Sequence, residues 1–137
     1  MILLIDDDPL CRLDLSEALT ICGLRPLAAD SGERGLEMLR QRDIAAVVTD
    51  WQMPGMDGLA VAEAVRRTRP QIPVVMITGA VEWAQAAEAA QAQGVCRCLR
   101  KPIDLRALLD CLRGVVGGNR NRAATGADVS KAEAAGR

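Results

Sequence analysis

The chain has no histidine, phenylalanine or tyrosine, and its only indole rings belong to Trp51 and Trp83. Without histidine it lacks the commonest partner in zinc sites, and its five cysteines, Cys11, Cys22, Cys96, Cys98 and Cys111, show no Cys-x-x-Cys spacing. Most of these thiols therefore read as small core fillers. A basic surplus is also missing. The formal net charge of -1 argues against non-specific binding to nucleic acid or to an anionic membrane. No apolar run is long enough to span a bilayer and no positively charged leader opens the chain, so the sequence predicts a soluble, cytoplasmic protein without a membrane partner. There is no internal repeat.

What remains is a chain of 137 residues, long enough for one real hydrophobic core. Short apolar runs at 2–6, 24–28, 45–49, 74–78 and 95–99 alternate with amphipathic segments at 9–22, 32–41, 58–68, 82–93 and 105–115. The runs are too apolar for one-sided exposure, and the segments between them are long enough for crossover helices. An α/β fold follows, with a parallel sheet covered on both faces. Pro9 suits a first helical turn, with Asp8 before it as a cap, and Asp57 reads as an N-cap before Gly58. Gly23 and Gly94 fall where helices end and a positive φ is often needed. Past Val116 the chain turns to glycine, alanine and charge, with almost no large apolar residue from which to build a second core. The reading is one domain over 1–116 and a flexible, low-complexity tail or linker over 117–137. In the tail, Arg120, Arg122, Lys131 and Arg137 outnumber Asp128 and Glu133, and nothing resembles a helix-turn-helix through which DNA binding could be assigned.

Chemistry concentrates where the apolar runs stop. Asp6, Asp7 and Asp8 follow the first run and Asp50 follows the third; carboxylates at strand ends, facing the crevice of an open sheet, are placed to hold a hard cation. The fourth run delivers the hydroxyl of Thr78, and the fifth leads to the ammonium of Lys101. Taken singly, each has a plainer reading: helix caps for the acids, a β-branched strand terminus for the threonine, a solvated surface residue for the lysine.

Together, Leu4-Ile5-Asp6-Asp7-Asp8-Pro9, Val48-Thr49-Asp50-Trp51-Gln52-Met53-Pro54-Gly55-Met56-Asp57-Gly58, Ile77-Thr78-Gly79-Ala80 and Lys101-Pro102 resemble the signature regions of response-regulator receiver domains of two-component signalling. The resemblance implies a flavodoxin-like, doubly wound sheet of order 2-1-3-4-5 with five helices. It matches Asp50 to the phosphoacceptor, Asp6 and Asp7 to the magnesium-binding acidic pair, Thr78 to the switch hydroxyl and Lys101 to the phosphate-contacting lysine. Magnesium would be held by Asp7, Asp50 and the main-chain carbonyl of Gln52, with Asp6 acting mainly through water. Gln52 and Ala80 are implied to set the phosphate lifetime, and the peptide bond before Pro102 is implied to be cis. The implied function is phosphoryl acceptance from a sensor histidine kinase or phosphotransfer protein, with magnesium-dependent autodephosphorylation and a downstream protein as partner. Such a domain catalyses its own phosphorylation and dephosphorylation and is not a conventional turnover enzyme.

One position departs from the family. Its usual aromatic switch residue on the fifth strand aligns with Cys98, and a thiol cannot repeat the movement of a ring between exposed and buried positions. The face that resembling domains use for partners or homodimers would carry Trp83, Cys98 and Arg100. Trp83 itself reads first as a residue packed over the alanines of its own helix, and second as an exposed anchor for a partner. Two alternatives stand beside the switch: a constitutive structural or dimerisation module, and the receiver fragment of a longer DNA-binding or enzymatic regulator.

Overall fold

The structure, a computed structural model, describes residues 1–79, 83–92, 94–95 and 97–117, with the side chains of residues 115–117 outside the description. The elements run β1 (Ile2–Ile5), α1 (Pro9–Ile21), β2 (Pro26–Ala29), α2 (Gly32–Gln41), β3 (Ala46–Asp50), α3 (Gly58–Thr68), β4 (Val74–Thr78), α4 (Trp83–Ala92), β5 (Arg97–Arg100) and α5 (Leu105–Gly117). All neighbouring strands are parallel, in the order β2-β1-β3-β4-β5. Alternation and order both agree with the sequence reading. Glu82, Gln93, Ala80, Cys96 and the tail residues 118–137, on which parts of that reading rest, lie outside the described residues.

Every residue of β1, β3 and β4 is buried, as continuous apolar runs in a sheet covered on both sides require. Alternate side chains feed two cores. Leu3, Ile5, Val47 and Met76 point to one face, where they meet Leu39 of α2, Val61 and Val65 of α3, and Ala86 and Ala90 of α4. Ile2, Leu4, Val48 and Ile77 point to the other, against Leu15 and Leu19 of α1 and Leu108 and Leu112 of α5. At about 25 cal/mol per Å² of apolar surface, these layers supply the main driving force of the fold.

Two strands, β2 and β5, begin two residues later than the apolar runs suggest, for one reason. The amide of Leu24 bonds to the Leu19 carbonyl and the amide of Val95 to the Ala90 carbonyl, so both residues still close the helix before them. Gly23 and Gly94 supply the turn, at φ +87° and +77°. β2 then starts on Pro26, whose missing N–H is tolerated at the first residue of an edge strand. Asp8 caps α1 through the amide of Leu10, and Asp57 caps α3 through that of Ala60, as their positions in the sequence predict.

Candidate functional site

β1, β3, β4 and β5 all end at the same edge of the sheet, because they are parallel and in register. That edge gathers Asp6 and Asp7 beyond β1, Asp50 as the last residue of β3, Thr78 as the last of β4 and Lys101 just past β5. Carboxylate oxygens of Asp6, Asp7 and Asp50 lie within 4.8 Å of one another. Lys101 Nζ stands 3.2 Å from Asp50 Oδ1, which also accepts the Trp51 amide at 3.0 Å. The Lys101 amide donates to the Thr78 carbonyl at 2.7 Å, fixing β5 beside β4 where the lysine departs. The Lys101–Pro102 peptide bond is cis, as the resemblance implied.

The electrostatics follow from burial. Asp6 is 3% exposed and Asp50 9%. Desolvation pushes both carboxyls above the ordinary range; Lys101 opposes the shift in each, and the amide of Asp8 opposes it in Asp6. Burial pulls the Lys101 ammonium down, but the charge and hydrogen bond of Asp50, with Asp6, outweigh it and hold the group above its usual value. Thr78 is 1% exposed and its Oγ1 is buried without a hydrogen-bond partner among the described residues. An unsatisfied buried hydroxyl costs free energy that an incoming acceptor oxygen would recover. The three carboxylates form a cluster able to chelate a divalent cation, and their hard oxygen donors fit magnesium.

Three neighbours were not singled out from the sequence for the contacts they make. Arg12 Nη1 donates to the Asp6 carbonyl at 2.8 Å, reaching back from α1 to the loop that carries the acidic pair. A cation near a helix N-terminus is disfavoured by the helix dipole, and this was the available signal that Arg12 has a specific partner. Cys11 Sγ donates to Asp8 Oδ2 at 3.3 Å; that bond and the Leu10 amide lower the pKa of Asp8. Gly58 packs on the end of β3 itself: a Cβ there would stand 2.4 Å from the Asp50 carbonyl oxygen and 2.9 Å from Trp51 Cα. Cys98 corrects the sequence reading. It is fully buried in the core beneath α4, so it belongs to no exposed partner face. Trp83 packs half-buried against the same core, with the Arg100 guanidinium 5.6 Å from its ring centroid, which favours the first of its two readings.

A parallel sheet of this order with an acidic cluster, a lysine and a buried hydroxyl at its carboxyl edge defines a receiver-type α/β domain. The model of the response regulator receiver domain matches residues 2–113, and the chain belongs to that family. It is 40% identical over 111 residues to response regulator protein FleR of Pseudomonas aeruginosa, covering 80% of this chain and 23% of that protein. It is 34% identical over 111 residues to transcriptional regulatory protein GlrR of Escherichia coli, covering 81% of this chain and 25% of that one. The chain thus spans about a quarter of the length of these curated relatives. Among solved structures it resembles a response regulator receiver domain protein from Clostridium thermocellum, with TM-score 0.81, 26% identity and coverage of 87% and 95% of the two chains. The receiver domain of NtrX from Brucella abortus gives TM-score 0.80, 25% identity and coverage of 86% and 99%.

Proposed function

We propose that this domain accepts a phosphoryl group on Asp50 from a phosphohistidine of a sensor histidine kinase or phosphotransfer protein and thereby switches its contacts with a downstream protein. The observation that carries this reading is the Lys101–Asp50 pair at 3.2 Å beside the carboxylate cluster. It opposes the burial that raises the Asp50 carboxyl and supplies a cation for phosphoryl oxygens. Asp50 Oδ1 is occupied by Lys101 and the Trp51 amide. Oδ2, with no hydrogen bond among the described residues, is the oxygen open to attack.

In the forward step, Asp50 Oδ2 bonds to phosphorus as the P–N bond to the donor imidazole breaks and the electron pair leaves with the ring nitrogen. The product is an acyl phosphate. Water hydrolyses it to inorganic phosphate and the carboxylate, which makes the signal reversible. Asp7, Asp50 and the Gln52 carbonyl would hold magnesium, with Asp6 acting through water, and the bound ion supplies charge that offsets repulsion between the carboxylates and the phosphoryl oxygens. Lys101 neutralises a phosphoryl oxygen as a point charge. The unpartnered Thr78 hydroxyl donates to another, and this bond links the phosphoryl group to the chain leading into α4.

No helix among the described residues is long and apolar enough to cross a membrane, and a cytoplasmic location belongs to this proposal. So does the reading of the chain past α5 as a tail or linker, which rests on composition; its expected start at 117 moves by one residue, since Gly117 is the last residue of α5. Intact mass after incubation with magnesium and acetyl phosphate tests the assignment. Wild type gains one labile phosphoryl group, while Asp50→Asn and wild type in EDTA gain none. Phosphorylation of D50N to the wild-type extent would sink the Asp50 assignment, and no uptake by wild type would leave a constitutive structural module as the better account.

A further inference from the structure

We propose that Arg12 is a positioning residue for the metal-binding loop, acting through the peptide that joins Asp6 to Asp7; this rests on the functional reading of the same site. Asp7 is exposed and has no side-chain hydrogen bond among the described residues, so only its backbone aims its carboxylate at Asp6 and Asp50. That backbone leaves the sheet at Asp6: the last paired residue of β1 is Ile5, and the Asp6 amide makes one more bond, to the Ala29 carbonyl at 3.1 Å. Beyond that amide, two bonds hold the loop. The Asp8 amide donates to Asp6 Oδ1 at 2.9 Å, and Arg12 Nη1 donates to the Asp6 carbonyl at 2.8 Å. The guanidinium therefore sets the tilt of the 6–7 peptide plane. Its root in α1 is rigid, since Asp8 caps that helix and the Arg12 amide bonds the Asp8 carbonyl at 2.9 Å. Loop and helix thus form a closed circuit around Asp7, whose carboxylate has no side-chain hydrogen bond among the described residues.

The charge of Arg12 works the other way. A guanidinium close to the acidic cluster repels an incoming cation, so neutralising it would strengthen metal binding if charge were its whole effect. Positioning predicts the opposite sign, and the sign decides between the two. The test is titration of the full chain with magnesium chloride, read by amide chemical shifts of residues 6–8 and 50–52, for wild type, Arg12→Met and Arg12→Lys. R12M is expected to bind magnesium about tenfold more weakly, the lower end of what loss of an outer partner costs a metal site. R12K, which keeps a donor and the charge, recovers much of that loss. In the metal-free protein R12M also speeds exchange of the Asp8 amide while leaving that of β3 and β4 unchanged. Binding by R12M as tight as wild type or tighter, or unchanged exchange at Asp8, overturns the proposal. Failure of wild type to gain a phosphoryl group would instead remove the functional reading, and the metal-free exchange still judges Arg12.

Discussion

Asp6 shows how one side chain can serve a site at the expense of the fold. Burial raises its carboxyl above the ordinary value, so the folded protein binds that proton more tightly than the unfolded chain does. A raised acid destabilises the fold at neutral pH, and the penalty fades as pH falls through its folded pKa towards the unfolded one. Asn keeps the oxygen that accepts the Asp8 amide and removes the charge. Asp6→Asn is therefore expected to stabilise the metal-free protein at pH 7 by about 0.5–2 kcal/mol, in the range common for relief of strained functional sites. Chemical denaturation in EDTA checks this, and the gain should shrink as pH is lowered. Magnesium is expected to reverse the order, because on the proposed reading it would bind the folded, ionised wild-type site and stabilise it by mass action. A stability loss for D6N in EDTA at every pH would show that the charge is not the source of strain.

Between elements, two glycines separate close approach from open space. At Gly58, the start of α3, the atoms in the way are the backbone of Asp50 and Trp51, which cannot swing aside as a side-chain tip can. Gly58→Ala must push α3 away from the acceptor strand. It is expected to cost about 1–3 kcal/mol, as overpacking does, and to slow phosphorylation of Asp50. Gly114 in α5 meets nothing within 4 Å and its φ is not positive. There Gly114→Ala should stabilise by about 0.5–1 kcal/mol through helix propensity and leave phosphoryl uptake unchanged. Thermal melts of the two variants, with acetyl phosphate uptake, make the comparison; destabilisation of equal size at both sites would show that position beside Asp50 does not matter. α4 is held more lightly than α3, since the side chains fully buried on it are Ala86 and Ala90, against Val61, Ala62 and Val65 on α3. Each missing methylene forgoes about 0.8 kcal/mol of burial.

Across the molecule, that light hold makes α4 the element most easily shifted by an event at the site. Thr78 precedes the segment leading to α4, and under the proposed function its hydroxyl, without a hydrogen-bond partner among the described residues, would gain one when phosphoryl oxygens arrive. Cys98 lies buried beneath α4 and is too small to change much surface by turning. Phosphorylation of wild type is therefore expected to perturb amide signals through residues 83–92. Cys98→Ala should keep that distant response, whereas Thr78→Ala should confine it to the pocket. If C98A erased the response and T78A did not, the signal would run through β5 instead. Linkage adds that phosphorylation and partner binding strengthen one another by the same factor.

Much of this was legible in the chain because local rules and global fold agree. Continuous apolar runs of strand length, separated by amphipathic segments, leave few options besides a covered parallel sheet, and Asp8, Asp57, Gly23 and Gly94 mark ends that backbone chemistry dictates. The motif residues Asp6, Asp7, Asp50, Thr78 and Lys101 could be named because each ends a strand or lies just past one, and parallel strands in register bring their ends to one edge. Strand starts after α1 and α4 were less legible, since Leu24 and Val95 are apolar enough for a strand while their amides close helices. The amino-acid sequence by itself determined the class of fold, the candidate site residues and the absence of a ring at position 98. Tertiary structure alone decided that Arg12 bonds the Asp6 carbonyl, that Gly58 must lack a side chain, that Thr78 Oγ1 is left without a partner and that Cys98 is sealed beneath α4. The reason is physical: periodicity and strand-end position are properties of neighbours along the chain, whereas a hydrogen bond across a loop, a close approach or an orphaned hydroxyl depends on which surfaces meet when the layers close.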